Sequence, residues 1–252
     1  MAQQMFYEKP VLLDREKHRK VHVQPSGGFA FSRKSNSLYI AAAEFNEACK
    51  EYPIVFTRSP DGKTVPVAVL GLRDRENLFV DNQERWTARY LPAFLRRYPF
   101  VLAEIPGKSL AVCIDEAYPG ISETEGQALF DEQGQETAFL KQTLEFLTQY
   151  QREYARTEAF CKRLEDNGLL KDTNARADLR DGRSFTVNGL RVVDEQKLLE
   201  LPDATALEMF RSGEMHLVTA HLLSLSNIQR LADRLADRPA APATQAAPAA
   251  PT

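Results

Sequence analysis

Ile54-Val-Phe-Thr57, Ser59-Pro-Asp-Gly-Lys63 and Val65-Pro-Val-Ala-Val-Leu70 follow in close succession. Two runs rich in strand formers flank a turn in which Pro60 presets φ and Gly62 supplies φ > 0, so the stretch reads as a β-hairpin. Pro66 has no N–H to give to a ladder, which predicts an edge or strand-end position. On the N-terminal side, Ala41 to Glu51 reads as a helix stopped by Pro53. Farther back, Val21-His-Val23 is a short strand and Pro25-Ser-Gly-Gly28 a turn. On the C-terminal side, Asn77-Leu-Phe-Val80 is predicted as a third strand. Phe100-Val-Leu-Ala-Glu104 and Leu110-Ala-Val-Cys-Ile114 form a second hairpin around Pro106-Gly107. Short strands joined by turns predict an antiparallel sheet.

From about residue 119 the apolar period lengthens. Gln135 to Asn167 carries Phe139, Leu140, Leu144, Leu147, Tyr150, Tyr154 and Phe160 at helical spacing, with Gly168 as the C-cap. Ser184-Phe-Thr-Val187, Asn188-Gly189 and Leu190-Arg-Val-Val193 read as a small hairpin. Asp194 caps a helix to Leu201, Pro202-Asp203 restarts one to Arg211, and a last helix is predicted from Glu214 to Asp237. The fold class is therefore α+β: an antiparallel sheet in the N-terminal half packed with a helix-rich C-terminal half. Residues 1–118 form the strand-rich part and 119–238 the helix-rich part of the same core. The Pro- and Ala-rich tail, 239–252, lacks core-forming residues and is expected to be disordered.

Composition narrows the function. Of 252 residues 32 are basic and 35 acidic, and a net charge of -3 argues against a dedicated nucleic-acid binder. Cys49, Cys113 and Cys161 are widely spaced and form no metal or disulfide framework. Cys113 sits in an apolar run and reads as a small buried hydrophobe. No stretch approaches the roughly 18 apolar residues of a membrane helix. Met1 to Pro10 lacks the apolar region of a secretory signal. That predicts a cytoplasmic protein, or one reaching the surface by signal-less export.

No nucleotide-binding glycine loop and no nucleophile elbow is present, so no cofactor and no catalytic residue is assigned. The four histidines, His18, His22, His216 and His221, do not make the spacing that puts two imidazoles on one helix face, and no metal site is assigned. Asp115-Glu116 and Ser122-Glu-Thr-Glu125 match no calcium loop and read as solvated carboxylates. His221, among Leu217, Leu222 and Leu225, reads as a hydrogen-bonded packing residue. One segment stands out. Trp86 to Phe100 holds the single tryptophan together with Arg89, Tyr90, Arg96, Arg97 and Tyr98, and Arg85 just precedes it. Such a mixture can bind an anion or a peptide through bidentate and cation–π contacts. Equally, Trp86, Tyr90, Phe94 and Tyr98 at i, i+4 can form one helical stripe, starting near Pro92 in its helical part and ended by Pro99, that packs on the sheet. The ligand-binding candidates are thus Trp86, Arg89, Tyr90, Arg96, Arg97 and Tyr98, with His221 as a residue closing the pocket.

Several short motifs run in a fixed order: Asn77-Leu-Phe-Val80, Trp86-x3-Tyr90-Leu-Pro-Ala93, Arg96-Arg-Tyr-Pro-Phe100, Leu110-x2-Cys-Ile-Asp115 and Leu129-Phe-Asp-Glu-Gln-Gly134. Gly168-Leu-Leu170, Leu190-x-Val-Val-Asp-Glu195 and His221-Leu-Leu-Ser-Leu225 complete the series. In this order they resemble the SapC family over most of residues 5 to 237. The resemblance implies association with a bacterial surface layer (S-layer), and likeness to proteins found beside tryptophan-halogenase-like flavoproteins, cupin-like proteins and outer-membrane receptors. It carries no catalytic residue onto any position here. Three functional expectations follow from it. The first is a non-enzymatic binding or assembly factor whose partner is an envelope or surface-layer protein. The second is an enzyme or accessory acting with a flavin-dependent halogenase-like or cupin-like partner. The third is a cytoplasmic ligand sensor.

Overall fold

A computed structural model describes residues 5–24, 28–103, 110–179 and 182–238. The first hairpin is present: β4 (Ile54–Arg58) pairs antiparallel with β5 (Thr64–Val69), Ile54 opposite Ala68. Before them lie β1 (Pro10–Leu12), β2 (His22–Val23), β3 (Ser37–Tyr39) and the short helix α1 (Phe45–Ala48). After them come α2 (Ala93–Arg96), β6 (Phe100–Ala103), β7 (Ala111–Asp115), β8 (Ile121–Ser122) and β9 (Gln127–Ala128). The helix-rich part comprises α3 (Ala138–Asp166), a β-ribbon of β10 (Leu170–Asp178) and β11 (Ser184–Val193), α4 (Glu195–Leu199), α5 (Asp203–Arg211), α6 (Glu214–Ser224) and α7 (Asn227–Ala236).

The strands form a five-stranded sheet in the order β10-β11-β4-β5-β3 and two three-stranded sheets, β1-β7-β6 and β8-β2-β9. All the described pairings are antiparallel. With the helices concentrated in the second half, the fold is α+β as expected. The larger apolar cluster joins Leu38, Ile54, Phe56 and Leu70 of the sheet to Phe160 and Leu164 of α3 and to Met209, Val218, Leu231 and Leu235 of the last helices. Each such fully buried side chain contributes about 1.5–3 kcal/mol by leaving water. A second cluster holds Val23, Phe100, Ile114, Leu129 and Phe130. Helix α3 serves both. Its Leu140 and Leu147 enter the second cluster, and its Phe160, Cys161 and Leu164 enter the first. At 29 residues it is about 43 Å long, enough to reach from one to the other. Thr137 caps its start by accepting from Leu140 N–H at 3.3 Å, and Gly168 ends it at φ +62.

Several sequence expectations are corrected. Pro66 lies in an interior strand, flanked by β4 and β3. It is tolerated because it stands one step beyond the last β3 pair, Tyr39 with Val67, where its carbonyl accepts from Ile40 N–H at 3.2 Å and its missing donor falls past the strand end. Asn77 to Val80 is a loop. The Asn77 side chain accepts from Phe79 N–H at 2.9 Å and donates to Ser32 O at 3.0 Å, which turns the chain out of a ladder. Asn188-Gly189 is no hairpin turn. Both lie inside β11, where Asn174 alone stands opposite the two of them, and Gly189 supplies the φ of +73 that this bulge requires. The predicted helix from Ala41 to Glu51 shrinks to a 3-10 turn, Ala42–Glu44, followed by α1.

The last helix is broken at Leu225-Ser226 into α6 and α7. Ser224 and Ser226 donate back to the carbonyls of His221 and Leu223 (2.5 and 2.9 Å), competing with the helical ladder. The aromatic stripe from Trp86 to Tyr98 is not one helix either, because only Ala93–Arg96 is helical, beginning directly after Pro92. Pro25, Ser26 and Gly27, the turn at Pro106-Gly107 and the tail from Pro239 lie outside the described residues. Among the described residues no helix is long and apolar enough to cross a membrane.

Candidate functional site

The residues singled out between Trp86 and Tyr98 separate into four groups. Trp86 and Tyr90 are held inward. Trp86 stacks on Phe79 with ring centroids 5.7 Å apart, and its Nε1–H is shared between Tyr52 Oη and Tyr90 O, both at 3.1 Å. Tyr52 Oη in turn donates to Tyr90 O. Tyr90 Oη donates to Glu44 Oε1 at 2.7 Å, beside Ala93 N–H at 2.6 Å, while Ala41 N–H reaches the other oxygen at 2.9 Å. Glu44 is buried and accepts three hydrogen bonds, so a carboxylate here ties the 3-10 turn to the start of α2. Arg89 is exposed, and among the described residues only its backbone N–H is engaged, with Glu51 at 2.9 Å.

Arg97 is buried at 9% exposure and faces rings. Its guanidinium carbon lies 4.1 Å from the Phe94 centroid, 5.0 Å from Tyr150 and 6.0 Å from Tyr7. Its Nε has no hydrogen-bond partner among the described residues. The guanidinium is stabilised by ring faces rather than by a carboxylate. Burial raises the Tyr150 and Tyr7 phenols, and Arg97 works against that rise in both.

Arg96 and Tyr98 point elsewhere, into a groove of about 250 Å³. Phe100 of β6 and Phe139 and Phe146 of α3 supply aromatic walls, and Gln142 and Thr143 add polar groups between them. The Arg96 guanidinium carbon lies 5.1 Å over the Phe146 ring, with Nε donating to Leu91 O at 3.1 Å. Tyr98 Oη donates to Asp115 Oδ2 at 3.2 Å, and Asp115 is fixed by the N–H groups of Glu8, Lys9 and Ala117 at 2.8–3.1 Å. Burial first, and the Asp115 charge second, raise the Tyr98 phenol, which therefore stays protonated. The Tyr98-Pro99 peptide between the two groove residues is cis.

His221 does not join these residues. It is fully buried, accepting from Val193 N–H at Nε2 (3.1 Å) and donating from Nδ1 to Ile54 O (2.8 Å). Burial holds its pKa down to about 4, so the ring is neutral. The packing role expected from its leucine neighbours is the one it fills. Burial pushes Cys161 up to about 12 and raises Cys49 and Cys113 as well. Among the described residues no group of His, Cys, Asp or Glu is arranged to hold a metal ion.

Sequence reasoning passed over the α3 contribution to the groove. Phe139 and Phe146 are seven residues apart, which places them on one helix face, and that spacing was the available signal. A larger cleft of about 410 Å³ lies over the bulge, lined by Arg58, Asp172, Asn174 and Arg191. Its charges are already matched within the protein, with Arg191 Nη1 on Glu165 at 2.8 Å and on Thr64 at 2.7 Å, so the aromatic groove is the better candidate.

The fold and groove define an α+β protein whose candidate site is a cation-rimmed aromatic surface. The chain belongs to the SapC family, whose family model matches residues 13–231. No curated protein and no solved structure matches the chain.

Proposed function

We propose that this chain is a non-enzymatic binding protein that docks an envelope or surface-layer protein in the groove between Arg96–Phe100 and α3. The observation that carries this reading is the composition of the groove. An arginine lying on Phe146, beside Phe139, Phe100 and a protonated Tyr98, has the Arg-and-aromatic character of residues that dominate binding energy at protein interfaces. The surface-layer association that resemblance to the SapC family implies is the support for a partner at the cell surface. The buried uses of His221 and the raised thiols favour binding over acid–base or nucleophilic chemistry. In this reading the chain meets its partner in the cytoplasm.

The test is affinity capture from envelope extracts with the full chain, the captured protein being identified by mass spectrometry and its binding remeasured with purified components. Arg96→Ala and Phe146→Ala should each weaken that binding about tenfold or more while leaving the fold intact. Capture of no envelope protein, or equal binding by both variants, would overturn the proposal.

A further inference from the structure

A second cluster of arginines lies away from the groove. It closes on three consecutive residues, Phe79, Val80 and Asp81. Arg33, just after the 3-10 turn Ala30–Ser32, donates Nη2 to Asp81 O at 3.1 Å. Arg238, just beyond α7, donates Nη2 to Val80 O at 2.9 Å. Arg234, one turn earlier, places its guanidinium carbon 4.4 Å over the Phe79 ring and donates Nη1 to Thr87 Oγ1 at 3.0 Å. Arg73 joins them from the loop after β5, where its Nε donates to Glu76 Oε1 at 3.0 Å.

The charge is unevenly answered. Arg73 is paired with Glu76. Arg33, Arg234 and Arg238 contact only two carbonyls, one hydroxyl and one ring among the described residues. Each guanidinium has five N–H donors, so most of theirs are unspent. Nearby carboxylates do not fill the gap. Asp81 accepts from the N–H groups of Gln83 and Arg85 and pairs with Arg85 at 2.8 Å. Asp233 and Asp237 make no ion pair with these arginines. The four guanidiniums are close enough to oppose one another. Burial is the main reason the Arg238 pKa is lowered; Glu76 pulls it back up, and weaker repulsion by Arg33, Arg73 and Arg234 adds to the lowering.

We infer that Arg33, Arg234 and Arg238, with Arg73 at the rim, form a binding site for a multiply charged phosphate group. Neutral acceptors hold the guanidiniums in place from below without cancelling their charge. Three cations that make no ion pair among the described residues, with Glu76 acting on Arg238 only at longer range, match a di- or trianionic oxyanion, whereas a single carboxylate would leave most of the charge unanswered. Planar guanidinium forks fit phosphate oxygens in pairs. The site is built by residues some 200 positions apart in the chain, since Arg33 and Arg238 meet at adjacent carbonyls. It does not depend on the groove reading above.

Inorganic pyrophosphate is titrated into the full chain by calorimetry, and vesicles of phosphatidic acid are compared with phosphatidylcholine by co-sedimentation. The expected result is saturable binding of pyrophosphate or of the phosphatidic acid vesicles. The first assigns the site to a soluble phosphate, the second to a lipid headgroup. In either case Arg33→Gln combined with Arg238→Gln should weaken binding about tenfold or more. Dicarbonyl footprinting of the wild-type chain gives a readout that needs no variant: the bound probe should protect Arg33, Arg234 and Arg238 and leave Arg89 reactive. Absence of binding to both probes, binding retained by the folded double variant, or binding without protection of these three arginines would overturn the inference.

Discussion

The His221 imidazole bridges Val193 N–H of β11 and Ile54 O of β4, each two residues along from the paired Arg191 and Phe56. The strand register continues through a side chain. The ring can do this only when neutral, with a proton on Nδ1 and a lone pair on Nε2.

A pH dependence follows. The unfolded chain takes up a proton on His221 near its ordinary pKa of 6.5, whereas the folded chain resists it down to about 4. Stability from this group is therefore complete above the unfolded value and is lost progressively as the pH falls toward the folded one. The limiting loss is about 3 kcal/mol. Urea unfolding across that window should show the decline in the wild type. His221→Phe should be less stable at neutral pH, because it leaves Val193 N–H unpaired and Ile54 O with only the long Ser224 hydroxyl contact at 3.4 Å, and should lack this part of the decline. A wild-type curve flat across the window, or one unchanged in His221→Phe, would refute the assignment.

Glu44 offers a test of the polar corner that positions α2. Removing its carboxylate strands the buried N–H groups of Ala41 and Ala93 and the Tyr90 hydroxyl. Glu44→Ala should cost about 2–4 kcal/mol in a denaturant titration. A loss near zero would mean that water replaces the carboxylate and that the corner is not held by it.

At Arg97 two substitutions separate charge from volume. Because the guanidinium rests on rings and has no carboxylate partner among the described residues, Arg97→Met should change stability by no more than about 1 kcal/mol. Arg97→Ala should cost about 2–4 kcal/mol by leaving a cavity among Phe94, Tyr150 and Tyr7. The two are compared by thermal and denaturant unfolding. If Arg97→Met is as damaging as Arg97→Ala, the charge itself is needed there.

Gly189 probes the bulge. A Cβ added there meets nothing within 4 Å, so Gly189→Ala isolates the backbone strain at φ +73. The expected cost is about 1–2 kcal/mol, read from the denaturant midpoint, with the structure otherwise unchanged. A neutral result would show that the bulge relaxes.

What could be read from the sequence was what local chemistry decides. The β4–β5 hairpin was legible because Ser59-Pro-Asp-Gly-Lys63 is a turn in any context, and α3 because its apolar period persists through many turns. Pro66 misled because its tolerance depends on where β3 stops, which is set by a different segment. Asn188-Gly189 misled for a similar reason: only pairing with Asn174 on β10 distinguishes a bulge from a turn. At the site, the inward packing of Trp86 and Tyr90 agrees with their aromatic spacing, although no single helix carries it. Nothing local distinguishes Arg96, which is exposed, from Arg97, which is buried, although they lie over rings one turn apart on α3. Which one meets Phe146 and which meets Phe94 and Tyr150 is decided by α3, over 40 residues away.

The clamp on β4 also has a consequence for the order of assembly. Ile54 N–H is satisfied by Ser224 Oγ at 2.9 Å, Ile54 O by His221, and the carbonyls of Cys49 and Tyr52 by Asn227 at 2.7 and 3.2 Å. These groups belong to an interior strand and the turn leading into it, but their partners are made some 170 residues later. A nascent chain emerging from the ribosome therefore carries this strand with an unfinished edge until α6 and α7 arrive. For most of its synthesis the protein holds its own strand-pairing hazard, and the last helices close it.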